Sequence, residues 1–186
     1  GVSQFTSQMC LVMALTTLPL GSAMSISFAA PLFAVLLAVV LFSERVGIHR
    51  LAALIAGFAG VLLVTEPGAG AIEVGALWAL ANALLYASVT VAVRRMSATE
   101  TPETLTTYQM VVLTVAMTAL LPFGFTAPEW SDVVVLAVCG YANGLGQVWW
   151  TRALHLAPAS AVMPFYYLSL VWAMGIGFAV WGEVPT

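Results

Sequence analysis

The sequence has no lysine and only five arginines against eight acidic residues; 7% of its 186 residues are charged and the formal net charge is -3. A water-soluble domain carries about 25% charged residues, so this chain cannot cover a globule of its size with solvated groups. A soluble enzyme is excluded on that ground, and a nucleic-acid binder also by the sign of the charge. Two cysteines form no disulfide framework. No basic stretch precedes the first apolar run, so that run is no signal peptide. What is present is apolar: 62% of residues are hydrophobic, the mean hydropathy is +1.03, and these residues come in long uncharged runs. The expected class is an all-α integral membrane protein, a polytopic helical bundle.

Charge, Pro and Gly bound seven spans, at about Val2–Leu18, Leu20–Phe42, Leu51–Val64, Val74–Val93, Leu105–Phe123, Val133–Thr151 and Ala159–Trp181. A spanning helix needs about 20 apolar residues. The third is short and must recruit Ile48 or rely on tilted neighbours. With seven alternating spans, Arg45, Arg50, Arg94, Arg95 and Arg152 all fall on one side, while Glu66, Glu73, Glu129, Asp132 and Glu183 fall on the other. The positive-inside rule makes the Arg side cytoplasmic. The arginines read as topology anchors whose heads reach the headgroup layer.

An internal repeat runs at an offset of 139 residues: Ala14-Leu15 returns as Ala153-Leu154, Pro19 as Pro158, Ala34 as Ala173 and Glu44 as Glu183. Gln8 returns as Gln147 and Gln4 as Asn143. The first span thus corresponds to the sixth, five passes later, and an odd number of passes inverts direction. Inverted repeats are the arrangement of secondary transporters, with the solute site near the midplane. Completing both copies gives about ten helices. A first residue of Gly and an end at Pro185-Thr186 fit a fragment with about seven of them.

The stretches Ala14-Leu15-Thr16-Thr17-Leu18-Pro19, Ala30-Pro31-Leu32-Phe33 through Glu44-Arg45-Val46, Gly57-Phe58-Ala59-Gly60, Ala153-Leu154 through Pro158-Ala159-Ser160, and Trp181-Gly182-Glu183 resemble the EamA-type repeat of the drug/metabolite transporter superfamily. The resemblance implies two inverted five-helix repeats around a central cavity. Residues 1–65 would be the C-terminal part of the first repeat and 66–186 the second repeat without its last helix. It also implies export or exchange of a small metabolite such as an amino acid, nucleoside or vitamin, in the inner (plasma) membrane. It carries no invariant catalytic residue.

The site is therefore read from polarity. Gln8 and Gln147 each lie 11 residues before their proline, about 16 Å from the helix end and close to the middle of a bilayer core. Gln4/Gln8 and Asn143/Gln147 are i,i+4 pairs, each aiming an amide stripe in one direction. Asn82 and Tyr86 repeat the spacing, and Tyr166 and Tyr167 follow Pro164. The expected substrate-binding residues are Gln8, Gln147, Asn143, Asn82, Tyr86, Tyr166, Tyr167 and Ser27. The bland alternative is interhelical glue for the amides and an interfacial belt for the tyrosines. Trp149-Trp150 read as lipid-facing or packing residues, and Tyr108-Gln109 are set aside on a helix the resemblance places at the periphery. Gly140-x-x-x-Gly144, Ala53-x-x-x-Gly57 and Ala56-x-x-x-Gly60 read as close-contact faces.

No carboxylate, Lys, Arg or His lies at mid-depth, so a neutral or zwitterionic solute is expected rather than an anionic one. No metal site, cofactor or disulfide is expected, and no enzyme activity. The partners are the solute and the bilayer, no nucleic acid, with a homodimer left open. A channel-like or structural membrane subunit is the alternative function.

Overall fold

The computed structural model describes residues 1–18, 20–43, 46–65, 74–123 and 129–181. Pro19, Glu44, Arg45, Glu66, Glu73 and Glu183, used above as punctuation and charge markers, lie outside these. Among the described residues every regular element is helical: α1 (Val2–Thr17), α2 (Leu20–Ser27), α3 (Ala30–Phe42), α4 (Ile48–Thr65), α5 (Val74–Met96), α6 (Pro102–Leu120), α7 (Trp130–Leu156), α8 (Ala159–Val162) and α9 (Leu168–Trp181), with short 3-10 segments at Leu121–Phe123 and Met163–Tyr167. The protein is a multi-pass helical membrane protein. Among the described residues four stretches are long and apolar enough to cross a bilayer unaided: Ser22–Phe42, Val74–Met96, Asp132–Leu156 and Ala159–Ile176. Helix α4 gains its length by starting at Ile48. Helices α1 and α6 form where spans were expected, but α1 has only 16 residues and α6 carries several Thr with Glu103 and Gln109.

The second and seventh spans are interrupted, each at a proline. Pro31 has no N–H to give the preceding turn, and the chain turns at Phe28-Ala29 before α3 begins. Pro164 lies in the 3-10 segment between α8 and α9. The two interruptions face each other: the Phe28 and Tyr166 ring centroids are 5.5 Å apart. Discontinuous helices at a bundle centre expose backbone and side chains that an unbroken apolar helix would not.

Helix α1 packs along α5, with its buried residues Gln4, Ser7, Cys10 and Ala14 on one face. The α5 face is small, with Gly75, Ala79, Ala83 and Ala87 buried. A Cβ at Gly75 would collide with Thr17 Oγ1 and Leu18 Cγ, so glycine there permits the close approach. The main core gathers Phe28, Ala34, Val35, Leu54, Val61, Ala87, Met163 and Tyr167. Of the small-residue faces, Gly57 is the one in close contact, against the Tyr167 ring; a Cβ at Gly60, Gly140 or Gly144 would meet nothing within 4 Å. Among the described residues nothing approaches the Gly140-x-x-x-Gly144 face, and that stretch of α7 is largely exposed. Cys10 is buried and Cys139 exposed, and both are free.

The described arginines cluster at one end of the bundle. Arg94 Nη1 donates to the carbonyls of Leu154 (2.8 Å) and His155 (3.2 Å). Arg50 donates to Ser160 at 3.2 Å. Arg152 pairs with Glu103 at 2.6 Å, both exposed. Arg50, Arg94 and Arg152 thus tie neighbouring helix ends together. In a background lacking Cys10 and Cys139, Ala98→Cys at the α5–α6 turn is expected to label from the cytoplasmic side and Trp130→Cys from the opposite side. Labelling of Ala98→Cys from outside would overturn the topology.

Candidate functional site

Three polar and aromatic groups meet between α1, α5, α6, α7 and the two helix interruptions. The first is a buried hydrogen-bond relay. Ser7 Oγ donates to Asn82 Oδ1 at 2.7 Å, and Asn82 Nδ2 donates to Ser27 Oγ at 3.1 Å. It ties α1, α5 and α2 together. In hydrocarbon a polar side chain needs such partners, and Asn82 supplies an acceptor and a donor from one amide.

The second group is a recess of about 10 Å³ lined by Gln4, Gln109, Gln147, Thr90, Thr151 and Tyr86, closed by Val89, Val93, Trp150 and Leu154. That is about the space of one water. The threonine hydrogens point elsewhere: Thr90 donates to the Tyr86 carbonyl at 3.1 Å, and Thr106 donates to Thr151, which donates to the Gln147 carbonyl at 2.8 Å. Gln4 is 5% exposed and its Oε1 has no hydrogen-bond partner, so the recess offers an unused acceptor. No charged side chain lines it.

The third group is a ring cluster centred on Tyr166, whose centroid lies 5.5 Å from Phe28, 5.7 Å from Tyr86 and 6.1 Å from Trp150. Phe28 also stacks on Tyr167 at 6.3 Å. The Tyr167 hydroxyl is buried without a partner. Tyr86 and Trp150 belong both to the rings and to the recess lining. Apolar faces and a polar, uncharged end therefore adjoin, the composition of a site for a small organic solute.

The expected residues fall as follows. Asn82 and Ser27 are in the relay, Tyr86, Tyr166 and Tyr167 in the ring cluster, and Gln147 in the recess. Gln8 is half-buried on α1 and is not among the lining residues; Gln4, one turn earlier, takes that place. Asn143 is exposed on α7. Residues not anticipated for the site are Gln109, Ser7, Thr90, Phe28 and Trp150. Gln109 is buried and lines the recess, correcting its dismissal as peripheral. Thr106 and Gln109 stand three apart on one face of α6, a polar signal as good as those on α1 and α7. Trp149 is exposed while Trp150 turns inward, since successive helical residues point about 100° apart.

The sequence matches the model of the EamA-like transporter family over residues 1–66 and 73–186. The chain is 30% identical over 175 residues to a riboflavin transporter of Rhizobium johnstonii, an alignment covering 94% of this chain and 58% of that protein. It is 28% identical over 181 residues to the pseudopaline exporter of Pseudomonas aeruginosa (95% of this chain, 63% of that one). It is 23% identical over 171 residues to an S-adenosylmethionine uptake transporter of Rickettsia conorii (92% and 58%). The chain thus spans about three fifths of the length of the curated relatives it matches. Its fold is similar to that of a protein of known crystal structure, with a TM-score of 0.84 at 19% identity over 98% of this chain and 66% of the other.

Proposed function

The chain belongs to the EamA-like transporter family, and from that premise we propose that the protein is a secondary transporter of the inner membrane, an exporter or exchanger moving a small neutral or zwitterionic metabolite by alternating access. Residues 1–65 and 66–186 are read as parts of two inverted repeats, a reading supported by the 139-residue offset and by facing interruptions at Phe28 and Tyr166. The substrate enters between the ring cluster and the amide recess. Asn82, Tyr86, Tyr166, Tyr167, Ser27 and Gln147 form the site with Gln4 and Gln109, and Gln8 and Asn143 extend it along α1 and α7.

The observation that carries this reading is the sharing of Tyr86 and Trp150 between the ring cluster and an uncharged recess with an unpartnered acceptor. A flat or apolar face packs on the rings while a hydrogen-bond donor reaches Gln4. The relatives named for riboflavin, pseudopaline and S-adenosylmethionine support small metabolites as the class. Among the described residues no three metal-ligating side chains gather, and the site holds no nucleophile–base pair. The names of the relatives support a carrier over an enzyme.

The test is counterflow in proteoliposomes with riboflavin, S-adenosylmethionine and a panel of amino acids and nucleosides. Saturable exchange of at least one is expected. Non-saturating leak, or none with any solute, would favour the channel-like or structural reading and sink the proposal. For the solute that exchanges, Gln147→Leu and Gln4→Leu should each lower transport per folded molecule about 2- to 10-fold, the worth of one hydrogen bond of about 0.5–1.5 kcal/mol. Unchanged specific activity with reduced yield would make both amides glue.

A further inference from the structure

At the arginine-rich end, His155 stands between two acceptors. Its Nδ1 is 2.9 Å from the carbonyl oxygen of Thr151, one turn back on α7, and its Nε2 is 2.9 Å from the carbonyl oxygen of Glu100 in the α5–α6 turn. A carbonyl oxygen only accepts. Neutral imidazole has one N–H and one lone pair, so in either tautomer one nitrogen would turn its lone pair on a carbonyl oxygen. Only the doubly protonated ring donates to both. We propose that His155 is a proton-binding site and that its imidazolium form latches the α5–α6 turn to the end of α7, so that proton binding on the arginine-rich side holds that end closed.

The surroundings of the ring fit this role. His155 lies in the last turn of α7, where the carbonyl ends of the helix favour a cation. From α6, Glu103 faces it; hydrogen bonding from Arg152 holds the Glu103 carboxylate below its ordinary range, and the charges of Arg152 and His155 add to this. From α5, Arg94 donates to the His155 and Leu154 carbonyls. That guanidinium repels an imidazolium but also pins the same helix end. Glu100 brings its exposed side chain to the turn, and Arg152 lies on α7 itself. Arg50 reaches α8 through Ser160 and fastens the neighbouring turn. The contact therefore joins the α5–α6 turn to the last turn of α7.

The sign follows from the donor count. The closed arrangement uses both ring protons, so acidification favours closure and alkalinisation releases it. The Glu103–Arg152 pair has the opposite sense: with the carboxylate held low, its contribution is present at neutral pH and lost as pH falls through the carboxylate's titration. The two are separable by working from about pH 6 to 9, above the range of carboxylates.

The experiment uses the protein in lipid nanodiscs with His49→Gln, so that one histidine reports, and with Cys10 and Cys139 replaced. Ring nitrogen-15 shifts give the protonation state. The rate at which Ala159→Cys reacts with a maleimide gives exposure, since Ala159 is fully buried in the closed end. The expected result is that labelling accelerates about tenfold or more, the worth of a charge-assisted hydrogen bond, with the same midpoint at which the ring loses its second proton. His155→Arg, charged and donor-rich at every pH, should label slowly throughout; His155→Phe should label fast and without pH dependence. A ring already neutral where labelling is slow, a flat labelling profile in the parent, or a His155→Phe variant that keeps the profile would each overturn the latch. None of these readouts is a transport measurement, so the latch stands or falls independently of the proposed function.

Discussion

Asn82→Ala is expected to destabilise the protein by about 1–3 kcal/mol, with a fall of several degrees in its thermal midpoint in detergent. The reason is the position of the amide and not its polarity alone. Ser7 Oγ gives its hydrogen to Asn82 Oδ1, and Ser27 Oγ receives one from Asn82 Nδ2. Removing the amide takes from the Ser27 hydroxyl its donor, while Ser7 Oγ keeps the backbone carbonyl of residue 82, 3.2 Å away, as an acceptor. Interhelical hydrogen bonds in membrane proteins average only about 0.6 kcal/mol, so Ser7→Ala, which breaks one bond, should cost less than Asn82→Ala. Once Asn82 is alanine, Ser7→Ala should cost less than in the parent, because only the backbone carbonyl of residue 82 is left to Ser7, and the double-mutant cycle should show a coupling of up to about one hydrogen bond. Additive losses would mean that the relay is not formed.

How much of this could be read from residues alone differs by element. Helix identity was plain because apolar runs bounded by Arg, Pro and Gly leave little else in a membrane. The start of α4 at Ile48 follows from the same length rule that made Leu51–Val64 too short. The breaks at Phe28-Ala29 and Met163–Tyr167 were only half legible. Pro31 and Pro164 mark where a helix can bend, but whether it bends or breaks depends on what packs against it, here the opposite interruption. At Gly140 and Gly144 the small-residue spacing shows that a helix can be approached, and among the described residues nothing approaches either.

For the site, polarity at depth drew attention to Asn82, Tyr86, Tyr166 and Gln147, which the structure places in the relay, the ring cluster and the recess. It did not distinguish Gln4 from Gln8, since both carry the same amide and only the rotation of α1 on α5 decides which turns inward. The same rotation buries Ser7 beside Gln4 and leaves Thr6 exposed. Gln109 was legible by the rule applied elsewhere and was lost by giving family placement precedence over its own spacing with Thr106. Phe28 and Trp150 could not be assigned from sequence, because an aromatic residue in an apolar helix looks the same whether it faces lipid or a ring cluster.

Gly57 and Gly60 lie on one helix, three residues apart, and the structure gives them opposite expectations. A Cβ at Gly57 would collide with the Cδ2, Cε2 and Cγ atoms of Tyr167. That ring cannot simply swing aside, because it is buried, stacks on Phe28 and sits in the 3-10 segment fixed by Pro164. Overpacking of this kind costs about 1–3 kcal/mol, against which alanine recovers about 1 kcal/mol of helix propensity. Gly57→Ala should therefore lose stability. It should also lower transport per folded molecule, since moving Tyr167 displaces Phe28 and through it Tyr166. At Gly60 an added Cβ meets nothing within 4 Å, so Gly60→Ala keeps the propensity gain alone and should be neutral or stabilising by up to about 1 kcal/mol. Thermal unfolding of the two variants side by side is the measurement. If both behave alike, the close seat of α4 on the Tyr167 ring is refuted.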